Sequence, residues 1–234
     1  SGVDDQCGRI MDYLKENQLD DNTIFIFTSD HGNCTGIQQQ PTKGNHFEES
    51  FRVPLLVKWE NKIKAGKETD LIFSSVDFFP TIMGMIGKEE LIPEIQGTNL
   101  SEQLIEGTGV MPDMAIYANL APGAGTRPYQ KDYFEKKIYG ERGLRTKEYM
   151  LLISKSPRGN TQIILNNLIE DPFQLKNIAE ENMQIVASLW REKLNPKLEE
   201  IGDGWYQTKP SRTFDFPEHF KPVPEDNEIW KKMH

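Results

Sequence analysis

The residues best suited to chemistry lie in one stretch, "TSDHGNCTGIQQQPTKGNHFEES", residues 28–50. Asp30 and His31 are adjacent, and Lys43 and His46 follow in a polar tract. A carboxylate beside an imidazole is a metal-ligand pair in need of further ligands, because zinc sites use four and calcium sites six to eight. Gly32 permits a sharp turn behind the pair. Lys43 can donate to an anionic oxygen as a point charge. His46 can touch a substrate or pass a proton to a leaving group, and a packed or exposed loop histidine fits that position equally well. The set reads as part of an active site for an anion, with Asp30 and His31 as metal ligands and Lys43 and His46 as substrate-binding groups. A turn-capping Asp and a solvated Lys are the competing interpretations. Glu48, Glu49 and Arg52 suit structural hydrogen bonds to the loop. Cys34 is nearby but has no evident base partner, so it is not read as a nucleophile.

These residues need elements to position them. Val3, Cys7, Ile10, Met11 and Leu14 form a helical stripe, with Cys7 as a buried small hydrophobe. "TIFIFTS" and "VPLLVKW" are short continuous apolar runs, the pattern of central strands covered on both faces. "SSVDFFPTIMGMIG" predicts a helix with Asp77 as N-cap, Pro80 in its first turn and Gly87 at its end. Asp30 and His31 follow the carboxyl end of a strand, where α/β sheets bind ligands. Residues 1–110 therefore predict an α/β core, a mainly parallel sheet with flanking helices. Two strands make a poor sheet, so further strands are expected upstream of Ser1.

Residues 111–234 predict a small α+β subdomain. "DMAIYANL" is one strand, and a three-strand meander follows with turns at "TKE" and "SPRGN". Met183, Ala187, Trp190 and Leu194 mark a helix that Pro196 bends or ends. The tract 119–140, with Arg127, is a candidate substrate rim or a solvated loop. The Pro- and aromatic-rich C-terminal stretch is expected to wrap the surface in extended form.

The 234 residues carry a net charge of -9, which argues against nucleic acid or an anionic membrane as partner. Two cysteines make no disulfide framework. No apolar run is long enough to span a bilayer.

"NTIFIFTSDHG", then Lys43, then "FEESFRVPLLV" resemble the sulfatase family, within the alkaline-phosphatase-like superfamily. The resemblance continues in order through "SSVDFFPTIMGMIG", "IQGTNLSEQL", "GLRTKEYMLLI" and "LIEDPFQLKNIAEE". It implies a partial alkaline-phosphatase-like core and hydrolysis of sulfate esters of a small molecule or glycan. It makes Asp30 and His31 ligands of a divalent metal, calcium in preference to zinc or manganese, and Lys43 a sulfate-binding cation. The family's nucleophile is a formylglycine made from Cys or Ser in C/S-x-P-S-R, and neither "QCGRI" nor "NCTGI" is that motif. Nucleophile and paired aspartate ligands are thus expected upstream, which makes this chain a C-terminal fragment, inactive alone and prone to self-association through an exposed sheet edge. Two alternatives stand beside this. One is a phosphodiesterase or phosphonate monoester hydrolase of the same superfamily, which the imidazole of His31 favours because it suits zinc or manganese. The other is a non-catalytic binding or assembly protein. A periplasmic or secreted location is implied by the resemblance alone, the native N-terminus being absent.

Overall fold

The computed structural model describes residues 1–119, 140–155, 161–203 and 205. Residues 120–139 of the candidate rim at 119–140, the "SPRGN" turn and the C-terminal stretch apart from Trp205 lie outside the described residues. The chain divides into two compact units, Ser1–Lys43 with Glu49–Asp113, and Gly44–Glu48 with Met114–His234.

In the first unit, α1 (Gly2–Glu16) starts at Ser1, whose hydroxyl accepts the Asp4 N–H at 3.4 Å. Asp4 and Asp5 in its first turn and Lys15 in its last match the helix dipole. The apolar stripe is present, yet no residue of α1 is buried; Val3 is 60% exposed and Ile10 51%. Cys7 is half-buried, not buried as expected, and Cys34 is the fully enclosed cysteine; both are free thiols.

Strands β1 (Ile24–Thr28) and β2 (Leu55–Trp59) pair antiparallel, with Ile24 opposite Trp59 and Thr28 opposite Leu55. The α/β class stands, but the mainly parallel pairing expected for this unit is not found among the described residues. An apolar run reports burial and carries no information on direction. Direction follows the connection, and the one between β1 and β2 holds only a 3-10 turn and the one-turn helix α2 (Glu48–Phe51). A parallel return needs a full crossover, usually a long helix. Coverage also differs from expectation: β2 alternates half-buried residues with exposed Leu56 and Lys58.

Helix α3 (Phe78–Met85) is entered through a 3-10 turn, Ser75–Asp77. Asp77 holds the N-cap position of α3, as expected, but without a side-chain cap bond, and Ser74 caps the 3-10 turn before it. The Asp77 carboxylate reaches back to the Ser74 N–H at 2.8 Å, closing a capping box, and also accepts the Thr98 N–H at 2.8 Å. Gly87 ends the helix region at φ +65°, as the sequence predicts. Helix α4 (Ser101–Ile105) follows.

The second unit contains a four-stranded antiparallel sheet in the order β3 (Ala115–Asn119), β4 (Gly140–Arg145), β5 (Tyr149–Lys155), β6 (Thr161–Asn167). Leu144 faces Leu151, and Leu151 faces Leu165 across β4, β5 and β6. Against this row pack Val186 and Leu189 of α5 (Met183–Leu189), Trp190 and Leu194 of a π-helical turn, and Leu198 of α6 (Asn195–Glu200). Each fully buried Leu contributes about 2 kcal/mol by removal from water. Pro196 does not end the helix. It lacks an N–H, and the turn before it widens so that the Asn195 N–H bonds the Trp190 carbonyl. Arg142 is fully buried and forks onto Asp203 at 2.8 and 3.2 Å. Lys155 donates to the Trp205 carbonyl at 2.9 Å and lies 3.9 Å from that indole; burial pushes its ammonium down to about 8. Among the described residues, no helix is long and apolar enough to cross a membrane.

Candidate functional site

The loop leaving β1 is folded by its own short polar side chains. Ser29 Oγ donates to the His31 carbonyl at 2.8 Å, and Asp30 Oδ1 accepts the His31 N–H at 2.9 Å. Gly32 N–H donates to the Ser50 carbonyl at 2.9 Å. A side chain at Gly32 would place its Cβ 2.0 Å from the Glu49 carbonyl oxygen, so only glycine lets the loop approach α2 this closely. The excursion that follows closes on itself: Cys34 N–H donates to the Thr42 carbonyl at 3.0 Å and Gly36 N–H to the Gln40 carbonyl at 2.9 Å. Thr35, Gly36, Gln38 and Gln39 all take positive φ to make that return. It delivers Lys43 back to His31.

The result is a convergence of three of the residues that the sequence singles out. His31 Nδ1 donates to the Gly32 carbonyl at 2.8 Å, which leaves the lone pair of the neutral ring on Nε2. Nε2 lies 3.0 Å from Asp30 Oδ2 and accepts from Lys43 Nζ at 2.5 Å. Desolvation, the largest single influence, pushes the Asp30 carboxyl up. The electrostatic interaction with His31, the backbone N–H bonds and Lys43 together outweigh it, so the group lies below the ordinary carboxylate value. It is an anion at neutral pH.

These donors fit a divalent cation in kind. A carboxylate oxygen and an imidazole nitrogen lie 3.0 Å apart, and the other ring nitrogen is tied to a carbonyl, as in metal-ligating histidines. They do not fit one in number. Among the described residues, no group of three or more His, Cys, Asp and Glu could hold a metal ion. Asp30 and His31 are two donors, fewer than a metal site uses.

His46 is placed differently. It belongs to the second unit, whereas Asp30, His31 and Lys43 belong to the first. Its ring stacks on Phe47 with centroids 4.3 Å apart and is only 7% exposed, and burial pushes it down to about 4. Its Nε2 has no hydrogen-bond partner among the described residues. Glu48 is engaged structurally, but with partners far along the chain from the loop for which its bonding was expected. Arg145 forks onto its carboxylate at 3.1 and 3.2 Å, and its N–H donates to Gln174 Oε1 at 2.7 Å. Tyr117, Asn119 and Glu141 gather beside this segment with no signal in the sequence to mark them. Asn119 Nδ2 donates to the Gly44 carbonyl and to Glu141 Oε2, both at 3.2 Å. Burial holds the Glu141 carboxyl above its ordinary value, and burial followed by the Glu141 charge does the same to the Tyr117 phenol.

Residues 1–88, which contain this convergence, match the Sulfatase family model. The matched part is thus similar to sulfatases. The chain is 34% identical over 218 residues to an endo-4-O-sulfatase of Bacteroides thetaiotaomicron, covering 89% of the chain and 42% of that relative. Its structure is similar to that of the putative sulfatase yidJ from Bacteroides fragilis, with TM-score 0.77 and 33% identity over 88% of the chain and 42% of the other. It is also similar to a phosphonate monoester hydrolase of Agrobacterium radiobacter, with TM-score 0.67 and 27% identity over 85% of the chain and 39% of the other. The chain thus spans less than half the length of each of these proteins.

Proposed function

We propose that this chain is the C-terminal part of a sulfatase that hydrolyses sulfate esters of carbohydrates. The supporting observation is the convergence of Asp30, His31 and Lys43 at the end of β1. In this reading Asp30 and His31 hold a divalent cation, calcium by the family resemblance, and Lys43 binds the sulfate. Cleaving a sulfate ester builds charge on the transferring group, and a bound cation would supply Lewis-acid stabilisation there. Lys43 adds a hydrogen-bonding positive charge aimed at the same oxygens. The nucleophile is proposed to lie in the part of a sulfatase that this chain does not span. Cys34 is 0% exposed, which suits no nucleophile, and neither cysteine lies in the formylglycine motif. Sulfated glycans are favoured by the relatives. One is an N-acetylglucosamine-6-O-sulfatase of Bacteroides thetaiotaomicron, 32% identical over 154 residues. Another, 26% identical with TM-score 0.68, is described in complex with D-glucosamine-2-N,6-O-disulfate as its substrate.

The test is sulfate release from N-acetylglucosamine 6-sulfate and N-acetylgalactosamine 4-sulfate by the protein in the full form its coding sequence specifies. Lys43→Ala should lower kcat/KM by about a hundredfold or more. Chelation should abolish turnover, with recovery on adding calcium. The isolated 234-residue chain should release nothing, and turnover by it would overturn the fragment reading.

A second reading, a phosphonate monoester hydrolase, is favoured by the imidazole donor of His31 and by the Agrobacterium structure. A Trinickia caryophylli relative named as a multifunctional alkaline phosphatase superfamily protein is 39% identical over 88 residues. Faster turnover of a phenylphosphonate monoester than of any sulfate ester, with zinc or manganese as the tightly held metal, would establish that reading instead.

A further inference from the structure

Gly44–Glu48 belongs to the second unit, although the residues on both sides of it belong to the first. It is held there at alternate residues. At Gly44 the carbonyl accepts from Asn119 Nδ2 at 3.2 Å and from Tyr117 Oη at 3.5 Å. At His46 the ring is buried. At Glu48 the backbone N–H is taken by Gln174 and the carboxylate by the fork of Arg145. The anchors are themselves fixed. Both N–H groups of the Asn119 amide are used, one on Gly44 and one on Glu141, so the amide has one orientation. Glu48 and Arg145 side chains are 15% and 19% exposed, which removes most of the solvent screening that weakens surface pairs. A solvated connecting loop has no need of this much support. Lys43 is bonded directly to the first residue so held, and consecutive Cα atoms are about 3.8 Å apart.

We infer that Asn119 and Arg145 are positioning residues for Lys43. They fix the Gly44–Glu48 segment, and the segment fixes the backbone that carries the Lys43 ammonium. The inference rests on the sulfate-binding role proposed for Lys43. Its physical basis is that a displacement of about 1 Å in a positioned group can cost on the order of a hundredfold in rate.

A double-mutant cycle tests it in the full form of the protein. Asn119→Ala, Arg145→Ala and Arg145→Lys are each made with native Lys43 and with Lys43→Ala, and kcat and KM are measured on the sulfated sugar. With native Lys43, Asn119→Ala and Arg145→Ala should each lower kcat/KM about tenfold, mostly in kcat, and Arg145→Lys should recover part of the loss. In the Lys43→Ala background the same changes should cost nothing further. Equal losses in both backgrounds would make the anchors merely structural and overturn the inference. If Arg145→Ala does not fold, Asn119→Ala at the half-buried end of β3 carries the cycle alone. A large loss from Lys43→Ala with none from Asn119→Ala or Arg145→Ala would remove this inference and leave the sulfatase reading intact. No loss from Lys43→Ala would remove both.

Discussion

A histidine ring that loses its water loses its usual titration. His46 is pushed by burial from the ordinary 6.5 to about 4, so the ring is neutral in the folded protein across the physiological range. The unfolded chain takes up the proton as pH falls through 6.5, and the folded protein does not until about pH 4. The unfolded state therefore binds more protons in that window, and stability is full above 6.5 and lost on the way down. The loss is roughly 3 kcal/mol, because each tenfold difference in proton affinity between the two states is worth about 1.4 kcal/mol. Urea unfolding at pH 7 and pH 4.5 checks this: His46→Phe should flatten the loss that the native protein shows. At pH 7 the substitution should cost little, because it exchanges a buried ring nitrogen with no partner among the described residues for carbon. The same variant separates the two roles open to His46 in the sequence. A neutral ring cannot serve as an imidazolium acid at neutral pH. Unchanged kcat/KM in His46→Phe assigns the ring to packing, and a selective rise in KM assigns it to the substrate.

Elements explain which parts of the site were legible in sequence. Asp30 and His31 were, because a β-branched apolar run, a Ser and a Gly mark a strand end by local rules alone. The return of Lys43 was not. It depends on positive φ at Thr35, Gln38 and Gln39, and only Gly36 among its turn residues advertises that freedom. The Arg145 pairing with Glu48 spans 97 positions and leaves no local trace. At α3 both Ser74 and Asp77 are chemically able to cap. The Thr98 N–H, distant in sequence, uses the second oxygen of Asp77 and fixes it as the third residue of the turn. β5 and β6 were legible because each carries a short apolar run, whereas β4, with Leu144 alone among polar residues and glycines, was legible only as their neighbour. The approach of the β1 loop to α2 yields a prediction with its own control. Gly32→Ala sets a methyl 2.0 Å from the Glu49 carbonyl oxygen, a backbone atom that cannot swing aside. It should destabilise by about 2 kcal/mol, in the range for overpacked sites. Gly8→Ala lies in α1 with nothing within 4 Å of the new methyl. It should stabilise by about 0.5–1 kcal/mol through helix propensity. Thermal melts of the two variants should therefore move in opposite directions.

At the scale of the molecule, the buried apolar residues are unevenly shared. Most of those found among the described residues lie in the second unit, while the first encloses Cys34, Ile72, Met85 and Leu100. Among the described residues the first unit also leaves a two-stranded sheet with no further strand on either edge, the stripe of α1, and Leu56 at 63% exposed. A two-stranded sheet is marginal alone, and open strand edges beside apolar surface invite pairing. The isolated chain should accordingly self-associate, against the repulsion of its -9 net charge. Because added salt screens that repulsion, sedimentation should show larger species at high ionic strength than at low. Leu56→Lys and Ile10→Glu should each shift the distribution towards monomer, since one charges the outward face of β2 and the other the stripe of α1. A monodisperse monomer at high concentration and high salt would mean that these faces are covered within the chain itself. Association indifferent to both changes but lost on charging Phe173 and Leu175, which are also exposed, would transfer the sticky surface to the loop after β6. Two-stranded pairing at β1 and β2 would then be sufficient for the first unit, and the case for strands supplied from elsewhere in a longer sulfatase would lose its physical ground.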